Sequence, residues 1–158
     1  MFSRWWPCWR EAHLDNFTLR PAQAADFPAI RRLIRVVRIN PTGLDWRRFI
    51  VAEAGGQFAG CAQLKPHGDG SLELASLAVE ERFRGQGLAR CLLEALLSGS
   101  PRPLYLTCRA GLGVFYQKFG FRALPPPEMP PYFRRLNVLA GLMMKFPGVE
   151  EGLLVMRL

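Results

Sequence analysis

The chain has 158 residues, nearly half of them apolar, and a net charge of +8 carried mainly by arginine. That length accommodates one sizeable core and no clear second one, and no apolar run reaches the roughly eighteen residues of a membrane span. The basic balance invites a nucleic-acid reading, but the arginines are scattered, with pairs at Arg31-Arg32, Arg47-Arg48 and Arg134-Arg135 and no basic-aromatic tract, which disfavours it.

In chain order, Met1 to Arg10 (MFSRWWPCWR) packs three tryptophans and two arginines into ten residues. It lacks the apolar core and small-residue cleavage site of a secretory signal, and Pro7 opposes a long amphipathic helix. Residues 1–16 are read as a docked or disordered extension, and residues 17–158 as a single domain. Phe17 to Pro21 reads as a first strand. Ala24 to Val37 reads as an amphipathic helix with Phe27, Ile30, Ile34 and Val37 on one face. After the loop Asn40-Pro41-Thr42-Gly43, Arg48 to Ala54 and Gln57 to Leu64 form a hairpin across Gly55-Gly56. The turn His67-Gly68-Asp69-Gly70 leads into a strand from Ser71 to Val79. Leu88 through Leu97 is a helix, Leu104 to Cys108 a strand, and Val114 to Phe119 a short helix closed by Gly120. Phe121 to Leu124 is extended, Pro125 to Pro131 is proline-rich, and Leu153 to Leu158 closes as a strand. Strands outnumber helices, early neighbours are antiparallel and a crossover helix joins two central strands. The fold class is therefore α+β (mixed α/β), not doubly wound. The four cysteines, Cys8, Cys61, Cys91 and Cys108, show no CxxC spacing and sit mostly in apolar runs. They read as buried thiols of a cytoplasmic protein, with no metal site.

The most informative stretch is Leu72 to Ala89, LELASLAVEERFRGQGLA. An apolar strand runs into an Arg- and Gly-rich turn that opens a helix, with Arg82, Gly85 and Gly87 in the spacing [QR]-x-x-G-x-[GA]. Backbone N–H groups left unpaired at such a junction, together with the helix macrodipole, make a seat for a phosphate or pyrophosphate. The Gly-Lys-Ser/Thr of a Walker loop is absent, since Leu88 and Ala89 follow Gly87. A dinucleotide fingerprint fails at Cys91.

Strand, phosphate turn, helix and strand, followed by Val114-Phe115-Tyr116-Gln117-Lys118-Phe119-Gly120-Phe121, resemble the GNAT superfamily of acyl-CoA-dependent N-acyltransferases. The resemblance covers roughly Phe17 to Leu158. It implies a central, mostly antiparallel twisted sheet with a splayed pair of parallel strands and flanking helices. Acetyl-CoA is the implied co-substrate, with no metal. By the same resemblance, Leu77, Ala78 and Val79 pair with the pantetheine arm, and Arg82, Arg84, Gly85, Gln86, Gly87, Leu88, Ala89 and Arg90 surround the pyrophosphate. Many family members carry an asparagine shortly after the fifth strand; Arg109-Ala110-Gly111 stands there instead.

Moving an acetyl group from a thioester to an amine needs a neutral amine, a polarised carbonyl and a proton for the departing thiolate. Tyr116 matches the family's general acid. A phenol suits this because its reference pKa of roughly 10 lies near that of an alkyl thiol. Glu73, four residues before Leu77, is the candidate base or an acceptor ligand. Strand alternation puts it on one face with Ala75, Leu77 and Val79. His67 is a rival base, but its Gly-rich turn points to exposure. Cys108 reads as a packed strand thiol.

In the family, acceptor contacts come from the loop after the first helix and from the C-terminal region. Arg38, Asn40, Tyr132 and Arg134 are the corresponding candidates here, and arginines suit a carboxylate-bearing acceptor such as an amino acid. The run Glu128-Met129-Pro130-Pro131-Tyr132 is similar to the acceptor end of N-acetylglutamate synthase-like acyltransferases. A solvated charged surface explains those residues equally well. A small-molecule N-acetyltransferase is the leading reading. A protein N-terminal or lysine acetyltransferase, a non-catalytic acyl-CoA sensor and a homodimer stay open.

Overall fold

The computed structural model describes residues 12–14, 16–143 and 152–158; the tryptophan-rich Met1–Arg10 segment and Cys8 lie outside them. The strands are β1 (Ala12–Leu14), β2 (Phe17–Pro21), β3 (Phe49–Ala54), β4 (Gln57–Pro66), β5 (Leu72–Val79), β6 (Leu104–Arg109), β7 (Arg122–Ala123) and β8 (Leu153–Arg157). The helices are α1 (Phe27–Val36), α2 (Leu88–Gly99), α3 (Gly113–Gln117) and α4 (Pro131–Met143). The fold is the expected mixture of helices and a mostly antiparallel sheet with one parallel pair, β5 and β6. The residues group into two compact units: those up to Lys65 with Leu74–Pro101, and Pro66–Glu73 with Arg102–Leu158.

In the first unit the hydrogen-bonded strand order is β1-β2-β3-β4-β5. The ladders from β1 to β4 are antiparallel, with Leu19 opposite both Ala12 and Ala52, and Ile50 opposite Ala62. Ile30, Leu33 and Ile34 recur at helical spacing and form the buried face of α1, packed on Phe49, Val51, Cys61 and Ala78. Pro28 is tolerated because it stands in the first turn, where its missing N–H has no intrahelical partner to lose. The Arg20 guanidinium forks onto Asp26 at 2.8 and 2.9 Å and reaches Glu53 through Nε at 3.1 Å. Hydrogen bonding to Arg20 holds the Asp26 carboxyl below the usual carboxylate range despite its partial burial.

In the second unit the order is β5-β6-β8-β7. The parallel ladder of β5 with β6 comprises Leu72↔Leu104 and Glu73↔Tyr105. β6 then pairs antiparallel with β8 from Tyr105↔Arg157 to Arg109↔Leu153. Phe133 of α4 is fully buried among Tyr105, Leu124, Met129 and Val155.

Two elements were not legible in the sequence. β1 falls within the stretch read as an extension and pairs with β2. α4 starts inside the proline-rich segment: Pro131 opens it, and Arg134 N–H donates to the Pro130 carbonyl at 3.0 Å. Proline at a helix's first position breaks nothing, so a cluster of prolines ended the expected extended segment and started a helix.

Gly60 of β4 sits so close to β5 that a Cβ there would stand 2.8 Å from the Ala78 carbonyl oxygen. Gly60→Ala is expected to force the two strands apart and cost about 1–3 kcal/mol of stability. Urea unfolding measures this, and an unchanged midpoint would mean that the strands can part without loss.

Candidate functional site

After β5 the chain passes through a 3-10 turn, Glu81–Phe83, into α2. Gly85 and Gly87 have φ of +75° and +82°. Gly87 is the N-cap of α2, and no side chain caps the helix. Apart from the adjoining residues of the chain, no described atom lies within 4 Å of where a Cβ at either glycine would stand. The backbone therefore meets open space at a positive helix end whose first N–H groups have no side-chain acceptor. A left-handed backbone there favours glycine over any residue with a Cβ.

The turn's long side chains are tied back onto the protein. Arg82 donates to Gln57 Oε1 at 2.8 Å, with its guanidinium 4.7 Å over the Phe83 ring. Arg84 Nε donates to the Val79 carbonyl at 3.3 Å, and Gln86 Nε2 to the Arg82 carbonyl at 3.1 Å. Arg90 is exposed, 3.9 Å from the Glu94 carboxylate. Leu88 is buried with Leu92, Leu93 and Leu96 and anchors the helix.

Within β5, Ser76 has a φ of +57°. Gln63 Nε2 donates to its hydroxyl at 2.9 Å, and the Cys61 thiol approaches its carbonyl at 3.8 Å. Gln63 is 1% exposed, and its Oε1 is buried without a hydrogen-bond partner among the described residues. The left-handed serine interrupts the pleat. The strict alternation expected to align Glu73 with Ala75, Leu77 and Val79 therefore does not carry through: Glu73 is buried, and the other three are half-buried.

Glu73 lies at the start of β5 in a closed cluster. Its Oε2 is 2.7 Å from His67 Nε2, and its Oε1 accepts from the Thr107 hydroxyl at 3.1 Å. The His67 and Glu73 side chains are only 5% and 7% exposed. The Tyr132 ring stacks on the His67 ring at 3.5 Å and 18°, and Phe133 meets His67 edge-on at 5.5 Å. Asp69 accepts from the Tyr132 N–H at 2.8 Å and from the N–H and hydroxyl of Ser71. The His67 turn is thereby fixed to the first turn of α4. Burial pushes the Asp69 carboxyl up, but the Ser71 hydroxyl, the two backbone N–H groups and His67 outweigh it, and the net shift is downward. Burial, then the carboxylates of Glu73 and Asp69, raise the Tyr132 phenol.

Tyr116 is buried in α3, edge-to-face with Phe115 at 5.1 Å and Phe121 at 6.0 Å. Gly120, at φ +89°, ends this helix as expected, and Phe121 N–H reaches the Tyr116 carbonyl at 3.4 Å. Burial, and secondarily the Cys108 thiol, raise the Tyr116 phenol far above its ordinary value. Its hydroxyl has no hydrogen-bond partner among the described residues. Cys108 is itself buried and pushed up to about 11, so it matches a packed thiol and not an activated nucleophile.

Arg38 and Asn40 share an open cavity of about 490 Å³ with Arg31, Arg35, Ile39, Pro41 and Leu44. Arg38 follows α1 with a φ of +56°. Arg134 donates to the carbonyls of Pro127 and Met129 at 3.3 and 3.2 Å. The acceptor candidates thus separate: Arg38 and Asn40 line one cavity, whereas Tyr132 belongs to the Glu73 cluster. Among the described residues no group of three or more His, Cys, Asp or Glu could hold a metal ion, and no helix is long and apolar enough to cross a membrane.

Residues 45–123, half of the 158-residue chain, match the profile of the acetyltransferase (GNAT) domain. The chain belongs to the GNAT acetyltransferase family. It is 34% identical over 89 residues to an uncharacterized N-acetyltransferase of Chlorobaculum tepidum, a match covering 53% of this chain and 56% of that protein. The chain thus spans little more than half of the length of this curated relative. N-acetylglutamate synthase of Neisseria gonorrhoeae, complexed with coenzyme A and N-acetyl-glutamate, superposes with a TM-score of 0.67 at 24% identity, over 93% of this chain and 36% of that one. Rv2747 of Mycobacterium tuberculosis, in complex with CoA and NLQ, gives a TM-score of 0.68 at 19% identity, over 89% and 97%. At these identities the likeness is one of fold.

Two parts of the Glu73 cluster escaped the sequence reading of this GNAT chain. His67 was expected to be exposed, because a Gly-rich turn is normally solvated. Its burial comes from Tyr132 and Phe133, more than sixty residues away in a helix that the prolines concealed. Thr107 became a partner of Glu73 only through the β5–β6 register. The Asp69-x-Ser71 pattern was the one local signal that the turn is a built structure.

Because the folded state depresses the Asp69 carboxyl, its stabilisation is present above the unfolded value of roughly 4 and is lost as pH falls through the lower native value. Asp69→Asn is therefore expected to be less stable than the parent at pH 6, with the difference shrinking below about pH 4. Urea midpoints across that range test this; a pH-independent difference would contradict it.

Proposed function

We propose that this chain is an acetyl-CoA-dependent N-acetyltransferase acting on a primary amine of a small anionic molecule such as an amino acid, with residues 17–158 working as one catalytic domain. The observation that carries this reading is the turn between β5 and α2, with two left-handed glycines, an uncapped helix start and open space above them. Such a turn fits a pyrophosphate, whose oxygens would take the first N–H groups of α2. The N-acetyltransferase name of the Chlorobaculum relative and the coenzyme A in the two structural relatives support the same co-substrate.

In this reading Gly85, Gln86, Gly87, Leu88, Ala89 and Arg90 receive the pyrophosphate, with Arg82 and Arg84 shaping the turn. Leu77, Ala78 and Val79 offer backbone groups to the pantetheine arm. Acetyl-CoA supplies the activated acetyl thioester. Tyr116 holds the proton destined for the thiolate sulfur; the phenol is protonated in the neutral range already at its ordinary value, and burial moves it above the match with an alkyl thiol, making it the weaker acid of the two. Glu73 belongs to the proton-accepting side, where the amine must become neutral before it can attack. Arg38 and Asn40 engage the acceptor's anionic group. This is supported by the cavity they line with Arg31 and Arg35, three guanidiniums with no ion pair among the described residues.

Gly87→Val is expected to abolish acetyl-CoA binding, because the branched side chain would fill the pyrophosphate seat and strain a backbone at φ +82°. Titration calorimetry against acetyl-CoA, with circular dichroism as the control for folding, decides the matter. Retained affinity in a folded variant would put the anion elsewhere.

A further inference from the structure

The Glu73 carboxylate is not poised alone. Each of its oxygens already has a partner, Thr107 on one and His67 on the other. With the carboxylate ionised, the 2.7 Å contact makes His67 Nε2 the N–H donor and leaves Nδ1 as the lone-pair nitrogen. Nδ1 has no hydrogen-bond partner among the described residues and is not one of the sealed, partnerless atoms such as Gln63 Oε1. A carboxylate that fixes a histidine tautomer and aims its second nitrogen is the arrangement of an oriented base.

We propose that His67 is the proton acceptor of the acyl transfer, taking the acceptor ammonium's proton at Nδ1, and that Glu73 is its positioning residue. The inference rests on the acetyltransferase reading above. The step is balanced: the ammonium loses one proton and becomes a neutral amine, His67 gains it and becomes imidazolium, and the His67–Glu73 pair goes from a charge of −1 to neutral. The charged and titratable groups that face the imidazole are two carboxylates and a phenol. Glu73 comes from β5 and Asp69 from the turn; Tyr132, from α4, presents a neutral phenol whose own ionisation is suppressed. Tyr132 and Phe133 clamp the ring from its face and edge, so little rotamer freedom remains to be lost when a substrate arrives.

The test compares His67→Gln with Glu73→Gln under saturating acetyl-CoA. Glutamine at 67 keeps a donor near the Nε2 position but cannot accept a proton at neutral pH. His67→Gln is expected to lower kcat/KM for the amine about a hundredfold at pH 7 and to move the acid limb of the pH profile up to the acceptor ammonium's own titration, leaving the KM for acetyl-CoA unchanged. Glu73→Gln is expected to retain an acid limb, displaced along the pH axis, because the base is still present. His67→Ala covers the case in which glutamine disturbs the clamp, with added imidazole expected to restore turnover. The chain has two histidines, so nuclear magnetic resonance can follow His67 directly. A slowly exchanging Nε2 proton is expected in the parent and is lost in Glu73→Gln. An unaltered pH profile in folded His67→Gln, or no imidazole rescue together with a freely exchanging Nε2 proton, would overturn the proposal. A parent that binds acetyl-CoA but acetylates no amine would overturn the acetyltransferase reading and this inference with it. A parent that is active while His67→Gln matches it would overturn the inference alone.

Discussion

β5 must meet two demands at once, and the features of this chain that bear on function follow from that constraint. At its start it pairs with β6 through Leu72 and Glu73. Further along, it runs past Ser76 directly into the glycine turn. Ser76 divides the strand into these two parts. Its left-handed backbone costs on the order of 1–3 kcal/mol, and Gln63 and Cys61 hold it there from β4. Upstream of Ser76, Glu73 is buried in a side-chain cluster with every oxygen engaged. Downstream, Leu77 to Val79 lead directly into the glycines of the turn. Gly60 completes the arrangement, since only a residue without a Cβ lets β4 lie against Ala78.

The charges divide into those that build the protein and those left for something else. Arg20 is spent on Asp26 and Glu53, Arg32 on Glu80 at 2.8 Å, Arg122 on Glu128, and Arg134 on two carbonyls. Arg31, Arg35 and Arg38 are different. They fall at i, i+4 and i+7 and repel one another, and no carboxylate among the described residues offsets them. The carbonyl end of α1 accounts for part of this, because cations are favoured at a helix C-terminus. Arg38 goes further: it occupies a left-handed position where glycine costs less, and it borders the cavity. In the proposed reading, the anionic group of the acceptor would offset that repulsion.

What could be read from the sequence was local. Gly85 and Gly87 were singled out by their spacing and Gly120 as the end of a helix, and all three stand in left-handed positions that glycine fills cheaply. Of the α1 face read from the sequence, Ile30 and Ile34 are buried and Phe27 and Val37 half-buried, while the buried Leu33 went unnamed. Ser76 gave no such signal, because a serine in a strand looks ordinary until its neighbour Gln63 is known. His67 and Thr107 joined Glu73 through contacts distant in sequence, one through α4 and one through the β5–β6 ladder. α4 was hidden because prolines at its start look the same in a loop as in a first helical turn.

The most direct measurement is release of the CoA thiol from acetyl-CoA in the presence of a panel of amines, run with the parent chain and Tyr116→Phe side by side. The account predicts release with carboxylate-bearing amines, and turnover at least about tenfold lower in Tyr116→Phe at unchanged acetyl-CoA affinity. Tight acetyl-CoA binding with no thiol release across the panel would contradict it and leave a protein that binds the cofactor without using it.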